Sequence, residues 1–406
     1  MTNTSRENRE FDVIIWGASG FTGRIATNYM HAQYGDGNIS WAIAGRNQAK
    51  LDSVRNQRDI DVLIAESDDE ESLKELVQKT KVLLTTVGPY SKYGSKLVAT
   101  CAEYGTDYCD LTGESLWMRE MISAYDESAR NSGARIVHTC GFDSIPSDIG
   151  VYFLQKEMIA RHGVPARHVK FRLRTAKGGM SGGTADSGLA MVEKVEKDKN
   201  LRSQLIDPYL LNNDFRGADG PDRISPFYDE DFDSWVAPFV MGPINTRVVR
   251  RSAELLGDMY GSNFRYDEGI LTRGGPTGFL GATGIGLATG LAMATLAAPP
   301  TRKIIKRLIP KPGEGPSEQD QEQGFFEIEL KAKHPDDEGL DLRAIVKGDR
   351  DPGYGSTAKM IVESALALAH DDIKKGGGFW TPASVIGDQL LQRLPLHAGV
   401  TFELVG

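Results

Sequence analysis

A run of β-branched and aromatic residues that ends in three regularly spaced glycines constrains this chain more than any other feature. Val13 to Trp16 meets Gly17, Gly20 and Gly23, and an amphipathic run from Ile25 to Tyr34 follows at once. A strand, a glycine turn and a helix in this order form the dinucleotide-binding fingerprint, in which N–H groups of the helix hold phosphates. The alternative is a glycine-rich turn that binds nothing. The fingerprint predicts cofactor contacts from Gly17, Ser19, Gly20, Phe21, Thr22 and Gly23.

The residue that follows the second apolar run indicates which cofactor binds. Ser40 to Ala44 is closed by Gly45 and Arg46, and Lys50 comes one helical turn later. Sites for NAD usually carry Asp or Glu at the end of this strand, where it binds the ribose 2′-hydroxyl, whereas an arginine accommodates the 2′-phosphate of NADP. A solvated loop arginine is the alternative interpretation. Beside the glycine turn, Arg46 favours NADP as the cofactor.

Strand and helix patterns alternate through the first 150 residues. This alternation is typical of an α/β fold with a Rossmann-type, doubly wound parallel sheet. We therefore assign residues 9–150 to an NADP-binding domain. Ligands bind such sheets outside the carboxyl ends of the strands. The segments expected to form the site are Gly17–Gly23, Gly45–Arg46, Val87–Tyr93, Asp110–Glu114 and Cys140–Asp148.

A second, α+β domain is expected to carry the substrate contacts, in residues 151–350. Residues 201–234 are rich in Asp, Asn and Pro and predict a long surface excursion. Within the second domain, a helix is expected to end near Lys199. Residues 351–406 predict C-terminal helices that return to the first domain. The strand candidates of the second domain are Val169–Arg174, Thr246–Arg250, Phe325–Lys331 and Leu340–Lys347.

One apolar segment within the second domain is set apart by its lack of charge. Gly274 to Pro300 contains no charged residue, and five basic residues follow it. Its length would suffice for a membrane span of about 20 residues, but Gly, Ala and Thr dominate, so insertion would be weakly driven. Three interpretations stay open: a buried or loop-like segment, an element that touches a membrane or guides lipid, and a true span. The basic residues are Arg302, Lys303, Lys306, Arg307 and Lys311.

The overall composition limits the partners and the compartment. The formal net charge of −9 argues against a nucleic-acid surface, which needs a basic balance. Three cysteines without C-x-x-C spacing suggest reduced thiols in the cytoplasm, and the polar stretch from Met1 to Glu10 is not expected to be a signal peptide. The seven histidines are scattered, so no metal is expected. Self-association as a homodimer is left open.

Taken together, these motifs resemble those of the saccharopine dehydrogenase-like oxidoreductases, and most closely the mycobacterial trans-acting enoyl reductases. The resemblance covers nearly all of the chain. It implies an NADP-dependent Rossmann domain, an inserted substrate domain, and reduction of a polyketide or fatty-acyl double bond made by a separate synthase. The strings that carry it are Gly17–Gly23, Ala44–Arg46, Thr86–Tyr90, Asp110–Glu114, Cys140–Asp148, Lys177–Thr184, Asn245–Arg250 and Pro310–Gly313.

Two of the strand-exit loops are expected to lie nearest the nicotinamide, and their residues are the catalytic candidates. Cofactor contacts are predicted for Val87, Gly88, Pro89, Cys140 and Gly141. Reduction of an enoyl group needs a donor near the carbonyl oxygen and an acid for the α carbon. For each donor, a structural hydrogen bond is the alternative role, and Asp143 and Asp148 are interpreted as helix N-caps. The candidate donors are Tyr90, Tyr93, Ser144 and Lys177.

Three functions are weighed. The first is an NADP-dependent enoyl reductase in (glyco)lipid biosynthesis that acts on a lipidic acyl thioester, in the cytoplasm and at the inner face of the plasma membrane. The second is an imine or ketone reductase on a small polar substrate, whose carboxylates would need an arginine clamp from Arg172, Arg174 and Arg247. The third is a non-catalytic, NADP-binding protein on a lipid surface.

Overall fold

The alternating patterns of the N-terminal part fold into a seven-stranded parallel sheet. The computed structural model describes residues 6–178, 198–297 and 314–405. Six strands come from the N-terminal part, and the seventh, which the sequence did not predict, comes from the C-terminal part. The strands are β1 (Phe11–Trp16), β2 (Trp41–Gly45), β3 (Asp61–Ile64), β4 (Thr80–Thr85), β5 (Asp107–Cys109), β6 (Arg135–Val137) and β13 (Gly378–Trp380).

The order of these strands places the site. It runs β13-β6-β5-β4-β1-β2-β3, so the chain changes direction across the sheet between β1 and β4. A reversal of strand order opens the crevice in which doubly wound sheets bind dinucleotides. The predicted α/β class is confirmed. Helices on the two faces are α1 (Phe21–Tyr34), α2 (Gln48–Arg55), α3 (Glu70–Gln78), α4 (Tyr90–Tyr93), α5 (Ser95–Tyr104) and α6 (Ser115–Ser132).

A second seven-stranded sheet is mixed. Its order is β14-β12-β11-β7-β10-β9-β8, and among these pairs only β7 and β10 are parallel. The C-terminal strand β14 therefore belongs to this sheet, whereas β13 belongs to the first. The strands are β7 (His168–Lys177), β8 (Phe227–Asp229), β9 (Ser234–Ala237), β10 (Arg265–Leu271), β11 (Phe325–Lys333), β12 (Leu342–Gly348) and β14 (Val400–Val405).

Longer helices connect and cover the two sheets. The strand predicted at Thr246–Arg250 is wrong, because these residues lie inside a helix whose buried face includes Val248 and Val249. Short apolar runs of this length do not distinguish a strand from a buried helix. The helix expected near Thr184 to Lys199 lies mostly outside the described residues. The helices are α7 (Ile145–His162), α8 (Lys199–Ile206), α9 (Gly242–Leu256), α10 (Gly275–Ala297), α11 (Glu318–Glu322), α12 (Thr357–His370) and α13 (Pro382–Arg393).

The charge-free segment forms the 23-residue helix α10, and most of its surface faces solvent. Only 6% of the most apolar 18-residue stretch within Gly275–Leu296 is buried, and the mean hydropathy is 1.5. Its large apolar side chains Phe279, Leu280, Leu287 and Leu291 are exposed. Of the three interpretations that the sequence left open, the buried or loop-like segment is therefore wrong. The sequence could not decide this, because an all-apolar helix has no polar face to mark its orientation.

One core joins the two sheets through α7. Gly150 lies against the second sheet so closely that a Cβ would stand 2.5 Å from Leu330 Cδ1. Asp148 lies within α7 and is not its N-cap; its carboxylate accepts hydrogen bonds from the Ser252 hydroxyl at 2.5 Å and the Ala383 N–H at 2.8 Å. Asp148 therefore satisfies an N–H in the first turn of α13 and ties three helices together.

A buried arginine organises the second sheet. The guanidinium of Arg172 donates to Asp229 at 2.6 Å and pairs with Asp267 at 2.7 Å. Burial alone would raise the pKa of Asp267, but Arg172 and His168 hold it well below its usual range. Arg174 lies on the same strand as Arg172, but its side chain is exposed and pairs with Glu327 at 3.0 Å. These two arginines are thus already bound to carboxylates.

Replacement of Arg172 by methionine should destabilise the protein by about 3–5 kcal/mol, since it leaves buried Asp229 without its main partner. Arg174→Met is the matched control on the same strand and should cost less than about 1 kcal/mol, because its ion pair is exposed. Urea unfolding measures both. Equal losses in the two variants would show that the buried pair does not organise the sheet.

The same pair predicts a pH dependence. Because the pKa of Asp267 is lowered in the folded state, its contribution to stability is present above the unfolded pKa of about 4 and is lost as the pH falls below that value. Arg172→Met should therefore flatten the decline in unfolding free energy between pH about 5 and 3. A decline as steep as that of the parent protein would contradict the assignment.

Candidate functional site

The glycine turn is held by contacts that leave no room for side chains. Gly17 has a φ of +89°, and a Cβ there would lie 2.5 Å from Val87 Cγ2. A Cβ at Gly23 would lie 2.2 Å from the carbonyl oxygen of Gly17, so α1 can approach the turn only with glycine at this position. The N–H of Gly20 donates to the same oxygen at 2.9 Å. This is the close packing that the dinucleotide fingerprint requires.

The start of α1 is suited to phosphate binding. The helix begins at Phe21 after the N-cap Gly20, and no side chain caps it. The first N–H groups of a helix have no acceptor within the helix, so those of Phe21, Thr22 and Gly23 can bind phosphate oxygens. The Phe21 ring itself packs edge-on against Tyr354, with centroids 5.1 Å apart. The side chain of Phe21 therefore anchors the turn, while its backbone N–H is available to a phosphate.

The segment after β4 lies against this turn. The hydroxyl of Thr86 donates to the Gly17 carbonyl at 3.3 Å, and the Val87 N–H donates to the Thr85 hydroxyl at 3.2 Å. Gly88 and Pro89 follow, joined by a cis peptide bond. The structure thus brings Val87, which the sequence assigns to the cofactor, next to the glycine turn.

Arg46 stands at the carboxyl end of β2, beside the strand that leads into the glycine turn. Trp16 and Ala44 are paired in the sheet, and Arg46 comes two residues after Ala44. Its side chain is exposed and has no hydrogen bond or ion pair with any residue in the described ranges. Asn47 caps α2 by accepting from the Lys50 N–H at 3.0 Å. A cation held at this strand end is suited to a 2′-phosphate.

Tyr90 is built into the core. Its hydroxyl donates to the Thr85 carbonyl at 3.3 Å and accepts from the Leu111 N–H at 3.2 Å. Burial raises its pKa well above the usual value. Glu114 accepts from the Tyr90 N–H at 2.7 Å and the Ser91 N–H at 3.0 Å, which fixes the start of α4. These contacts are those of a structural residue that joins two strand-exit loops.

The other two sequence candidates outside the Cys140 loop are exposed. Tyr93 ends α4 with 42% of its surface accessible. Its hydroxyl has no partner among the described residues. Lys177 ends β7 in the second sheet and donates to Gln323 Oε1 at 3.3 Å. The Tyr93 hydroxyl is therefore available for a ligand, whereas the Lys177 ammonium is already hydrogen-bonded to Gln323 at the end of β7.

The loop after β6 is backbone-strained. Thr139 and Ser144 have φ values of +61° and +118°, which are rare for residues with a side chain. Such conformations cost about 1–3 kcal/mol each and cluster at functional sites. Between them, Cys140 is fully buried, and its N–H donates to the Asp110 carbonyl at 2.7 Å. A Cβ at Gly141 would lie 2.8 Å from the Leu111 side chain.

Ser144 connects this loop to the second sheet through a polar network that the sequence did not reveal. Its hydroxyl donates to Asn245 Oδ1 at 3.2 Å, and Asn245 Nδ2 donates to Glu268 at 3.0 Å. The Tyr266 hydroxyl also donates to Glu268, at 2.6 Å. Burial raises the pKa of Glu268 to about 7. Ser144 was a candidate donor and Asn245 is part of a family string, but nothing in the spacing marks Tyr266 or Glu268.

Asp143, which precedes Ser144 in this loop, does not have the role that the sequence predicted for it. It is no N-cap, because α7 begins after Ser144 and no side chain caps it. Its carboxyl group has no hydrogen bond or ion pair within the part of the chain that is described. Burial raises the pKa of this carboxyl to about 6. An unpaired acid of this kind can exist as a proton donor near neutral pH.

Comparison with known proteins identifies the family. The model of the saccharopine dehydrogenase NADP-binding domain matches residues 13–137, which include the glycine turn, Arg46 and the loop after β4. The N-terminal sheet is therefore an NADP-binding domain. The cofactor prediction is confirmed.

Relatives are similar over nearly the whole chain. A Mycobacterium tuberculosis protein provisionally named as a trans-acting enoyl reductase is 39% identical, over 97% of both chains. The trans-acting enoyl reductase of Mycobacterium bovis is 35% identical, over 98% of both chains. That of Mycobacterium ulcerans is 36% identical, over 96% of this chain and 97% of its own.

A solved structure shows the same architecture. Saccharopine dehydrogenase (L-Glu forming) from Saccharomyces cerevisiae matches 98% of this chain and 100% of its own, with a TM-score of 0.53 at 12% identity. At that identity the likeness concerns the fold alone. Together with the full-length relatives and the NADP-binding domain, it confirms that the chain belongs to the saccharopine dehydrogenase-like oxidoreductases, as an NADP-dependent enzyme related to the trans-acting enoyl reductases.

Proposed function

We propose that this oxidoreductase reduces the carbon–carbon double bond of a lipidic acyl thioester that a separate synthase makes. The observation that carries the proposal is the full-length similarity to proteins named trans-acting enoyl reductases, with 35–39% identity. The reaction would belong to lipid or glycolipid biosynthesis. NADPH bound at the sheet would supply the hydride, and the protein would bind, orient and protonate the substrate.

The cofactor contacts are proposed from the two edges of the crevice. Gly17 to Gly23 would hold the pyrophosphate, and Arg46 would bind the 2′-phosphate. The loops after β4 and β6 converge on the same strand ends, so Val87 to Pro89 on one side, and Cys140 with Gly141 on the other, would enclose the nicotinamide. Fully buried Cys140 can contribute only packing and its backbone.

Asp143 is proposed as the acid that protonates the α carbon. It lies between Gly141 and Ser144 in the strained loop and has no partner among the described residues. The Ser144 hydroxyl donates a hydrogen bond to Asn245, so the role proposed for Ser144 is to position the loop against the second sheet. Tyr93, with an available hydroxyl, is proposed to bind the thioester carbonyl oxygen.

The reductase for small polar substrates has less support. Its carboxylate clamp would need free arginines, yet Arg172 and Arg174 are paired within the second sheet and Arg247 is paired with Asp222. A charged substrate would have to displace these ion pairs, and at Arg172 this would leave the buried carboxylate of Asp229 without its partner. No observation in the described residues favours this function over the first.

Arg46→Ala should weaken NADPH binding about 10- to 100-fold, the equivalent of about 1.5–3 kcal/mol for a charge-assisted contact, and leave NADH binding unchanged. Fluorescence titration of both cofactors measures the effect. Arg55→Ala at the other end of α2 is the control, because Arg55 is exposed and pairs with Asp52. Equal losses for NADPH and NADH would refute the 2′-phosphate assignment.

The substrate class can be tested by following NADPH oxidation with three panels. Enoyl thioesters of increasing chain length should be turned over, with rates that rise with chain length, because a longer apolar chain buries more surface. Ketones and imines of small carboxylic acids should be inactive. Tight NADPH binding without turnover of any thioester would sink the proposed reaction and leave a binding protein.

Asp143→Asn should lower the rate of enoyl reduction at least about 100-fold, the usual contribution of a general acid. In the parent enzyme the rate should fall as the pH rises through about 6, because the carboxyl loses its proton there. The asparagine variant should lose this pH dependence. Tyr93→Phe should raise KM or lower kcat without moving the pH profile. An unchanged profile in Asp143→Asn would exclude Asp143 as the acid.

A further inference from the structure

We propose that helix α10 (Gly275–Ala297) docks the enzyme onto a lipid bilayer by lying in the plane of its interface. The helix has no charged residue, and its mean hydropathy of 1.5 is combined with a burial of only 6% in its most apolar part. An all-apolar helix is stable only where its surface is removed from water. The protein itself does not provide that cover for most of this helix.

A single narrow face of α10 contacts the rest of the protein. Gly278 and Ala282 are buried, and one turn later Gly286 faces Pro226 and Pro238, where a Cβ would stand 3.6 Å and 3.7 Å from them. Phe279 packs on Trp235 with ring centroids 4.8 Å apart. The first half of the helix is thus fastened to the edge of the second sheet.

The opposite face is a continuous apolar surface. The leucines at 280, 287 and 291 have 68%, 69% and 67% of their surfaces exposed. Two exposed apolar residues of the body lie near the contacting face of the helix: Ile224 is 88% and Val240 is 58% exposed, each two residues from a proline that Gly286 faces. Patches of this extent mark sites that contact a protein or a membrane.

The aromatic residues at the edge of this surface fit a membrane interface. Tyr228 is 42% exposed and packs against Trp235, with ring centroids 5.7 Å apart. Trp235 in turn contacts Phe279. Tyrosine and tryptophan are enriched at the level of lipid headgroups, where an apolar ring and a polar tip are both satisfied.

Described residues before and after the segment contact the same body, which favours an interfacial position over a span. The Thr272 hydroxyl donates to the Trp235 and Gly278 carbonyls, at 2.8 Å and 3.0 Å, and so fixes the start of the helix. Gly315, beyond the segment, lies against the Phe21 ring of the NADP-binding domain. A single crossing would leave one end on the far side of the bilayer, which these contacts exclude.

Charge specifies the kind of bilayer. The sequence that follows α10 carries five basic residues between positions 302 and 311 and no acidic residue there, although the whole chain has a net charge of −9. Basic residues near a membrane surface are attracted to anionic headgroups. An anionic bilayer therefore matches both the apolar face and the adjoining sequence.

Flotation with vesicles tests the proposal on the full-length protein. The parent protein should bind vesicles of phosphatidylcholine with phosphatidylglycerol, more weakly at high salt, and less to phosphatidylcholine alone. Leu280→Ser, Leu287→Ser and Leu291→Ser combined should reduce binding more than about tenfold. The control combines Ile64→Ser, Leu340→Ser and Leu396→Ser, three exposed apolar residues on other elements, and should bind like the parent.

NADPH titration shows that both triple variants are folded. Because flotation measures vesicle binding directly, its result does not depend on the proposed reductase reaction. Absence of vesicle binding by the parent protein overturns the proposal, as does equal binding by the α10 variant and the control. A parent protein that sediments as a dimer without lipid, while the α10 variant is monomeric and neither binds vesicles, would assign the surface to a second copy instead.

Discussion

The approach of helix α1 to the glycine turn is the contact on which the nucleotide site depends. The Gly17 carbonyl accepts from the Gly20 N–H and the Thr86 hydroxyl, and it fills the place that a Cβ of Gly23 would occupy. One oxygen atom therefore links the turn, the helix and the loop after β4. Because this atom fixes all three, the phosphate-binding N–H groups are positioned before any ligand arrives, which lowers the entropy cost of binding.

The second constraint is the joining of the two sheets. Ser144 stands at the start of α7 and reaches Asn245, while Asp148, one turn later, bonds Ser252 and the N–H of Ala383. Both polar contacts are buried, so breaking either would leave a donor or acceptor without water. The loop that carries Asp143 is therefore held between the sheets, and this support allows its strained φ values to persist.

The first sheet was predictable from sequence, because each parallel strand is a short apolar run followed by a helix with a regular period. The residue types at the strand exits likewise predicted the cofactor. The second sheet was harder, since β8 to β10 are short or mix polar and apolar residues, and β13 and β14 come from a segment that looked helical. Asp143 was predicted as an N-cap and Glu268 was not singled out, because a pKa raised by burial is a property of the folded chain.

The composition of helix α10 does not tell which side of the helix faces the protein. A segment without charge is compatible with a core, a span or a surface, because its hydrophobicity has no direction along the helix. The fold supplies the direction. Gly278 and Gly286 let one face approach the sheet edge, while the leucines point outward. A helix that packs on a core in water usually has leucines on the contacting face and polar residues on the other. In α10 the leucines are on the exposed face instead, which supports the proposed contact with a lipid bilayer.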